Sequence, residues 1–300
     1  MQNNNLKQIQ KVNSIKTISI MFFLFGAILA MGWIISYLTG NPNMLNYAIF
    51  LALVTNFISY FFGDKLALSM SGAVIADQEK YSELNNIVET LAKNYGLPNP
   101  KVYIINDPAS NAFATGRNKN NASVAFTTGL LATLNRSELE GVIAHELTHI
   151  KNRDMLVMTI VVVMASALSI LANFAMQASF FGDKDKEGNN NTLLLVVGVL
   201  SSLLLPVAAL IIQSSISRKR EFMADAGAGL LTGHPEALAS ALIKISNFKQ
   251  PLIHANTATA HLYISSPFGG VEQRQSFWQH LFMTHPPVEE RVAALRGDVL

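Results

Sequence analysis

Four stretches of this sequence carry no charged residue over a length that can cross a bilayer: 18–38, 44–63, 155–181 and 193–212. About 20 apolar residues in an α-helix span the hydrocarbon. Hydrocarbon offers no hydrogen-bond partner to a backbone, so such stretches enter it only as helices. Half of the 300 residues are hydrophobic and 14% are charged, the balance of a membrane protein. The first stretch is long for the apolar core of a signal peptide, and no small-x-small site follows it, so an uncleaved anchor is expected. Gly40-Asn41-Pro42-Asn43 reads as a tight turn that joins the first two stretches into a hairpin. Pro206 in the fourth stretch is tolerated inside a membrane helix. The last two stretches could instead form a buried hairpin that does not cross; their uncharged length favours crossing.

Lys and Arg near the ends of the stretches set the orientation. Lys7, Lys11, Lys16, Lys65, Lys151, Arg153, Arg218, Lys219 and Arg220 fall on one side. Only Lys184 and Lys186 fall on the other, beside Asp183, Asp185 and Glu187. Both termini and the segment between the hairpins are therefore expected in the cytoplasm. The division is an N-terminal transmembrane hairpin (1–63), a first polar part (64–154), a second transmembrane hairpin (155–213) and a second polar part (214–300).

The first polar part contains His145-Glu146-Leu147-Thr148-His149. Residues four apart on an α-helix lie one above the other, so His145 and His149 can aim two imidazoles at one metal ion. Glu146, a quarter turn round, suits a base that touches the metal's water and not the metal. Zinc fits this set. Two histidines on a helix surface without a metal are the plainer alternative. Ser137 to Glu140 predicts a capping box at the helix start. Leu139, Val142, Ile143, Leu147 and Ile150 give a buried stripe, and Gly141 is expected to leave room beside His145. Arg136, Glu138, Glu140, Lys151, Arg153 and Asp154 flank the motif. So many charges are costly at membrane depth, which places the motif outside the bilayer core.

Before the motif, Ser82 to Tyr95 has helical spacing and ends at Gly96 and Pro98. Residues 101–105, 111–116 and 123–127 read as strands, which predicts a small antiparallel sheet beside the histidine helix. An exposed edge strand there could take an extended peptide, or the sheet could be plain scaffold. No cysteine is present, so neither a thiol nucleophile nor a Cys-type zinc cage exists. No basic stripe with interleaved aromatics appears, which argues against nucleic acid.

A catalytic zinc needs a third protein ligand. Glu221 and Asp225, four apart on an expected helix, share a face. One could bind the metal while the other accepts the remaining N–H of a ligand histidine. Spacing does not choose between them, and a solvated acidic face is the ordinary fate of such residues. His285 precedes Pro286-Pro287, which read as the start of a last helix over 288–295.

Taken together, these motifs resemble the HtpX family of bacterial membrane metalloproteases, relatives of the CAAX prenyl endopeptidases. The resemblance rests on the run from His145 to Asp154, the hairpin after it, Ser217 to Asp225, and Thr284-His285-Pro286-Pro287 with Arg291. It extends to the two N-terminal stretches and to Asn111 to Gly116. It implies an α-helical membrane protein with four transmembrane helices and a cytoplasmic, zincin-like α+β protease domain. It implies one zinc per chain held by His145, His149 and Glu221, with Asp225 behind them and Glu146 as general base. It implies that Asn111 and Ala112 hold substrate backbone and that His285 stabilises the oxyanion. The implied role is quality control in the inner membrane, with polypeptide substrates, among them damaged membrane proteins, cut on the cytoplasmic side. A membrane scaffold or holdase with structural zinc is the alternative, against which Glu146 stands, since a structural site needs no base.

Overall fold

A computed structural model describes residues 2–39, 42–160, 218–256, 259–269 and 286–297. Two long helices open the chain, α1 (Gln2–Thr39) and α2 (Asn43–Met70). Both are long and apolar enough to cross a membrane, over Gln8–Ala30 and Leu45–Met70. They pack on each other through Ile28, Ala48 and Ala52. Phe22, Trp33, Tyr37, Phe50 and Phe57 point outward and are exposed, an arrangement that suits lipid and is costly in water. The 38 residues of α1 extend about 57 Å, well beyond the roughly 30 Å of hydrocarbon. Its polar beginning, which overlaps the first residues of that candidate span, reaches the polar domain. There Gln10 donates to the carbonyl of Lys151 and Asn13 to that of Asn152, each at 2.8 Å. Residues 154–160 are helical; the rest of the expected second hairpin, 161–213, lies outside the described residues.

The sheet has four strands: β1 (Ala73–Ile75), β2 (Lys101–Ile105), β3 (Ala112–Gly116) and β4 (Ala122–Thr127). Their order is β1-β2-β4-β3. β1 runs antiparallel to β2 and β3 antiparallel to β4, but β2 and β4 are parallel, with Val102 opposite Val124. The expected antiparallel sheet is thus mixed. The cause is the hairpin β3–β4, which docks by its second strand and puts β3 on the far edge. Its turn is set by Asn118, whose side chain accepts from the backbone N–H of Asn120 and Asn121.

Helix α3 (Ser82–Asn94) buries Leu84, Ile87, Val88 and Leu91, as its spacing predicts. After the short α4 (Thr128–Thr133) comes α5 (Arg136–Asn152). Its cap lies two residues earlier than the sequence suggests. Asn135 accepts from the N–H of Glu138, whose carboxylate accepts from the N–H of Asn135. Asn caps as well as Ser does. This register is fixed by Glu138, which also takes Ser240 and Lys244 of α7 (Pro235–Ser246) at 2.7 Å each.

Between α5 and α7 lies α6 (Arg218–Thr232), and α8 (Val288–Arg296) ends the described chain. Close helix approach explains two glycines. A Cβ on Gly141 would sit 3.0 Å from the backbone nitrogen of Leu238. That glycine makes room for α7, not for the surroundings of His145. A Cβ on Gly227 of α6 would meet Thr148 Cγ2 of α5 at 2.6 Å and the Tyr95 hydroxyl at 2.9 Å. Gly227→Ala is therefore expected to push α6 off α5 and to cost about 1–3 kcal/mol of stability by overpacking. Thermal melting of the purified variant checks this; an unchanged melt overturns it.

Candidate metal centre

α5 is buried from Gly141 to Ile150 because the sheet, α3, α6 and α7 surround it. His145 is 1% and His149 5% exposed, and their Nε2 atoms lie 3.2 Å apart. Glu221, in the first turn of α6, is fully buried against them. Its Oε2 lies 3.8 Å from His145 Nε2 and its Oε1 3.6 Å from His149 Nε2. These three residues form the metal-capable cluster among the described residues. Donors about 2.0–2.1 Å from a tetrahedral zinc stand roughly 3.3–3.5 Å from one another. The observed spacings bracket that range, so two imidazole nitrogens and a carboxylate oxygen fit the ion with little movement.

The other ring nitrogens meet carboxylates. Nδ1 of His145 lies 2.9 Å from Oδ1 of Asp225, close but too bent for a straight hydrogen bond. Nδ1 of His149 lies 3.2 Å from Oδ2 of Asp154. A carboxylate at Nδ1 favours the proton there and leaves the Nε2 lone pair for a metal. Burial drives the His145 imidazole down to about 4, against the pull of Asp225. At His149 burial acts the same way, but Asp154 and Glu221 outweigh it and carry the group up to about 9.

Each carboxylate is itself held. Arg291 of α8, 1% exposed, donates twice to Asp225, at 2.9 and 2.7 Å, and once to the carbonyl of Ile264 at 3.2 Å. Burial alone would raise the Asp225 carboxyl, but Arg291 holds it below the usual range. Asp154 accepts from Asn13 of α1 at 2.7 Å. It reaches His149 because Arg153, with φ 61°, adopts the left-handed conformation and reverses the chain at the end of α5.

Glu146 is 2% exposed. Burial lifts its carboxyl to about 7; the charge on His149 opposes the rise and that on Glu221 adds to it, while the N–H of Ala114 donates to the carboxylate. A carboxyl poised near neutrality is suited to taking and returning a proton.

The edge strand differs from expectation. All five residues of β3 are buried. The carbonyl of Ala112 accepts from the N–H of Ile264 at 2.9 Å. Asn111 donates to the carbonyl of Ser265 at 2.9 Å and accepts from its N–H at 3.3 Å. The start of the edge read as exposed, at Asn111 and Ala112, is thus covered by the chain's own residues 264–265. His285 lies outside the described residues. Asp154, Arg291 and Asn13 are the site partners that sequence reasoning left unassigned. Asp154 and Arg291 stand inside the motifs, but neither has helical spacing to the residue it holds, His149 for Asp154 and Asp225 for Arg291.

Comparison with known proteins agrees with this geometry. Residues 78–299 match the model of peptidase family M48. A protein described as a protease HtpX homolog, from Caldanaerobacter subterraneus subsp. tengcongensis, is 43% identical over 99% of both chains. One of the same description from Pyrococcus furiosus is 46% identical over 94% of both. The crystal structure of S. mikatae Ste24p aligns with 96% of this chain and 66% of that one, at 19% identity and a TM-score of 0.48, a likeness too slight to argue from.

Proposed function

This chain belongs to peptidase family M48, in its HtpX group, and from that premise we propose that it is a membrane-bound, zinc-dependent endopeptidase. The observation that carries the reading is the convergence of His145 Nε2, His149 Nε2 and the Glu221 carboxylate, with a carboxylate behind each imidazole. His145, His149 and Glu221 would hold one zinc ion, and Asp225 would orient His145. Zinc, when bound, supplies Lewis acidity toward a substrate carbonyl and lowers the pKa of water to about 7.

The protein's own groups do the rest. Glu146 takes the proton from the attacking water on its carboxylate and delivers it to the nitrogen of the leaving amine. Its burial keeps the proton from bulk solvent and its affinity matched to both transfers. Asn111 and Ala112 bind substrate backbone once residues 264–265 move off the β3 edge. His285 is assigned to the oxyanion from the family pattern alone. A membrane scaffold with structural zinc accounts for the three ligands but not for a buried carboxyl such as Glu146 beside them. Metal analysis of the purified protein together with cleavage of casein tests the reading. Zinc near one per chain and chelator-sensitive cleavage are expected; cleavage that survives full metal removal overturns it.

The substrates are polypeptides, damaged membrane proteins among them, cut at the cytoplasmic face of the inner membrane. The Lys and Arg distribution supports this placement, and the contact of α1 residues 10 to 13 with the end of α5 supports a site on the same side as the start of α1. Four spans are proposed. A reporter fused after Asp185 is expected to read as periplasmic and one at the C-terminus as cytoplasmic. A cytoplasmic reading at Asp185 would remove the third and fourth spans.

A further inference from the structure

One cavity beside the metal centre plays no part in the chemistry above. It lies between α1 and α6 and has a volume of about 490 Å3. Ile9, Val12 and Met223 give it an apolar wall, and Lys16, Lys219 and Arg220 a basic one. Arg220 is 7% exposed. Its Nε lies 3.6 Å from Oδ1 of Asp154, but its two terminal nitrogens find no acceptor among the described residues. Asp154 is shared, since Asn13 and His149 also engage its two oxygens.

A guanidinium presents five donors in a planar fork that matches a phosphate or carboxylate. A buried one with its ends unsatisfied asks for such an anion, because stranded buried donors are expensive. Two lysines on the same cavity add positive charge, which favours an anion and opposes a cation. The apolar wall asks for an anion attached to hydrocarbon. Lys16 stands two residues before the apolar stretch begins at Ile18, the level at which headgroups meet basic side chains.

We propose that this cavity seats the phosphate of an anionic phospholipid, held by Lys16, Lys219 and Arg220, and so fastens α6 to α1 at the membrane surface. The proposal rests on α1 entering a bilayer but not on peptidase activity. Alkaline extraction of native membranes tests that premise by itself; release of the chain removes premise and proposal together.

The site is tested by native mass spectrometry of the full chain in detergent, titrated with phosphatidylglycerol or phosphatidylcholine. One phosphatidylglycerol per chain is expected to be retained in preference to phosphatidylcholine. Arg220→Gln removes two or more charge-assisted hydrogen bonds and is expected to weaken that binding about tenfold or more. Lys219→Gln, on an exposed residue, tests the same site with less risk to folding and is expected to weaken binding severalfold. Equal retention of the two lipids, or undiminished selectivity in Lys219→Gln, overturns the proposal. Displacement of the lipid by an equal concentration of inorganic phosphate overturns the lipid as occupant and leaves free phosphate in its place.

Discussion

Glu146→Gln is expected to abolish peptide cleavage while the protein keeps its zinc. The substitution preserves shape and leaves an oxygen to accept the N–H of Ala114. It does not touch the three donor atoms, which belong to His145, His149 and Glu221. What it removes is a buried carboxyl that burial lifts to about 7, a group suited to accepting and returning a proton near neutral pH. General base catalysis typically contributes 100- to 10,000-fold, and the same residue is assigned both proton transfers, so a loss at the upper end is expected. Metal content by elemental analysis and casein cleavage on one preparation check both halves. Retained activity overturns the assignment of the base. Lost zinc would place Glu146 among the ligands.

Glu221→Gln and Asp225→Asn should fail in different ways. Glu221 is the carboxylate that faces both Nε2 atoms. An amide there gives the ion no charge, so zinc should be lost on dialysis. Asp225 stands one turn further on, against Nδ1 of His145 and the Arg291 guanidinium. Loss of an orienting partner typically lowers metal affinity or activity 10- to 100-fold. The bond to Arg291 adds a second consequence that spacing does not show. Breaking a buried ion pair from one side costs about 3–5 kcal/mol. Asp225→Asn is therefore expected to hold zinc better than Glu221→Gln but to melt at a lower temperature. Competition with a chelator and thermal melting separate the two. Zinc lost more readily from Asp225→Asn would reverse the assignment.

Glu146 and the two histidines were legible because an α-helix turns spacing into direction, and α5 is a helix throughout. The choice between Glu221 and Asp225 was not, since residues four apart share a face and only depth of reach distinguishes them. The cap failed for a related reason. Asn135 and Ser137 each have a glutamate three residues on, and the tie is broken by Lys244 and Ser240, about 100 residues away in sequence. The parallel pairing of β2 with β4 is likewise non-local; neighbouring strands suggest hairpins, and only docking decides which strand of a hairpin lies inside. Asp154 depends on a single left-handed residue, Arg153, whose conformation nothing in its type favours.

The bond between Arg291 and Asp225 joins a residue near the end of the chain to one 66 positions earlier. On the ribosome, the two histidines emerge long before Glu221, and Asp225 has no counter-charge until α8 has been made. Metal binding is coupled to folding, so a chain whose α8 has not docked lacks the finished candidate centre. α8 thus fixes the carboxylate behind His145 from 66 positions away in sequence, so the candidate centre takes its shape from the tertiary fold and not from α5 alone.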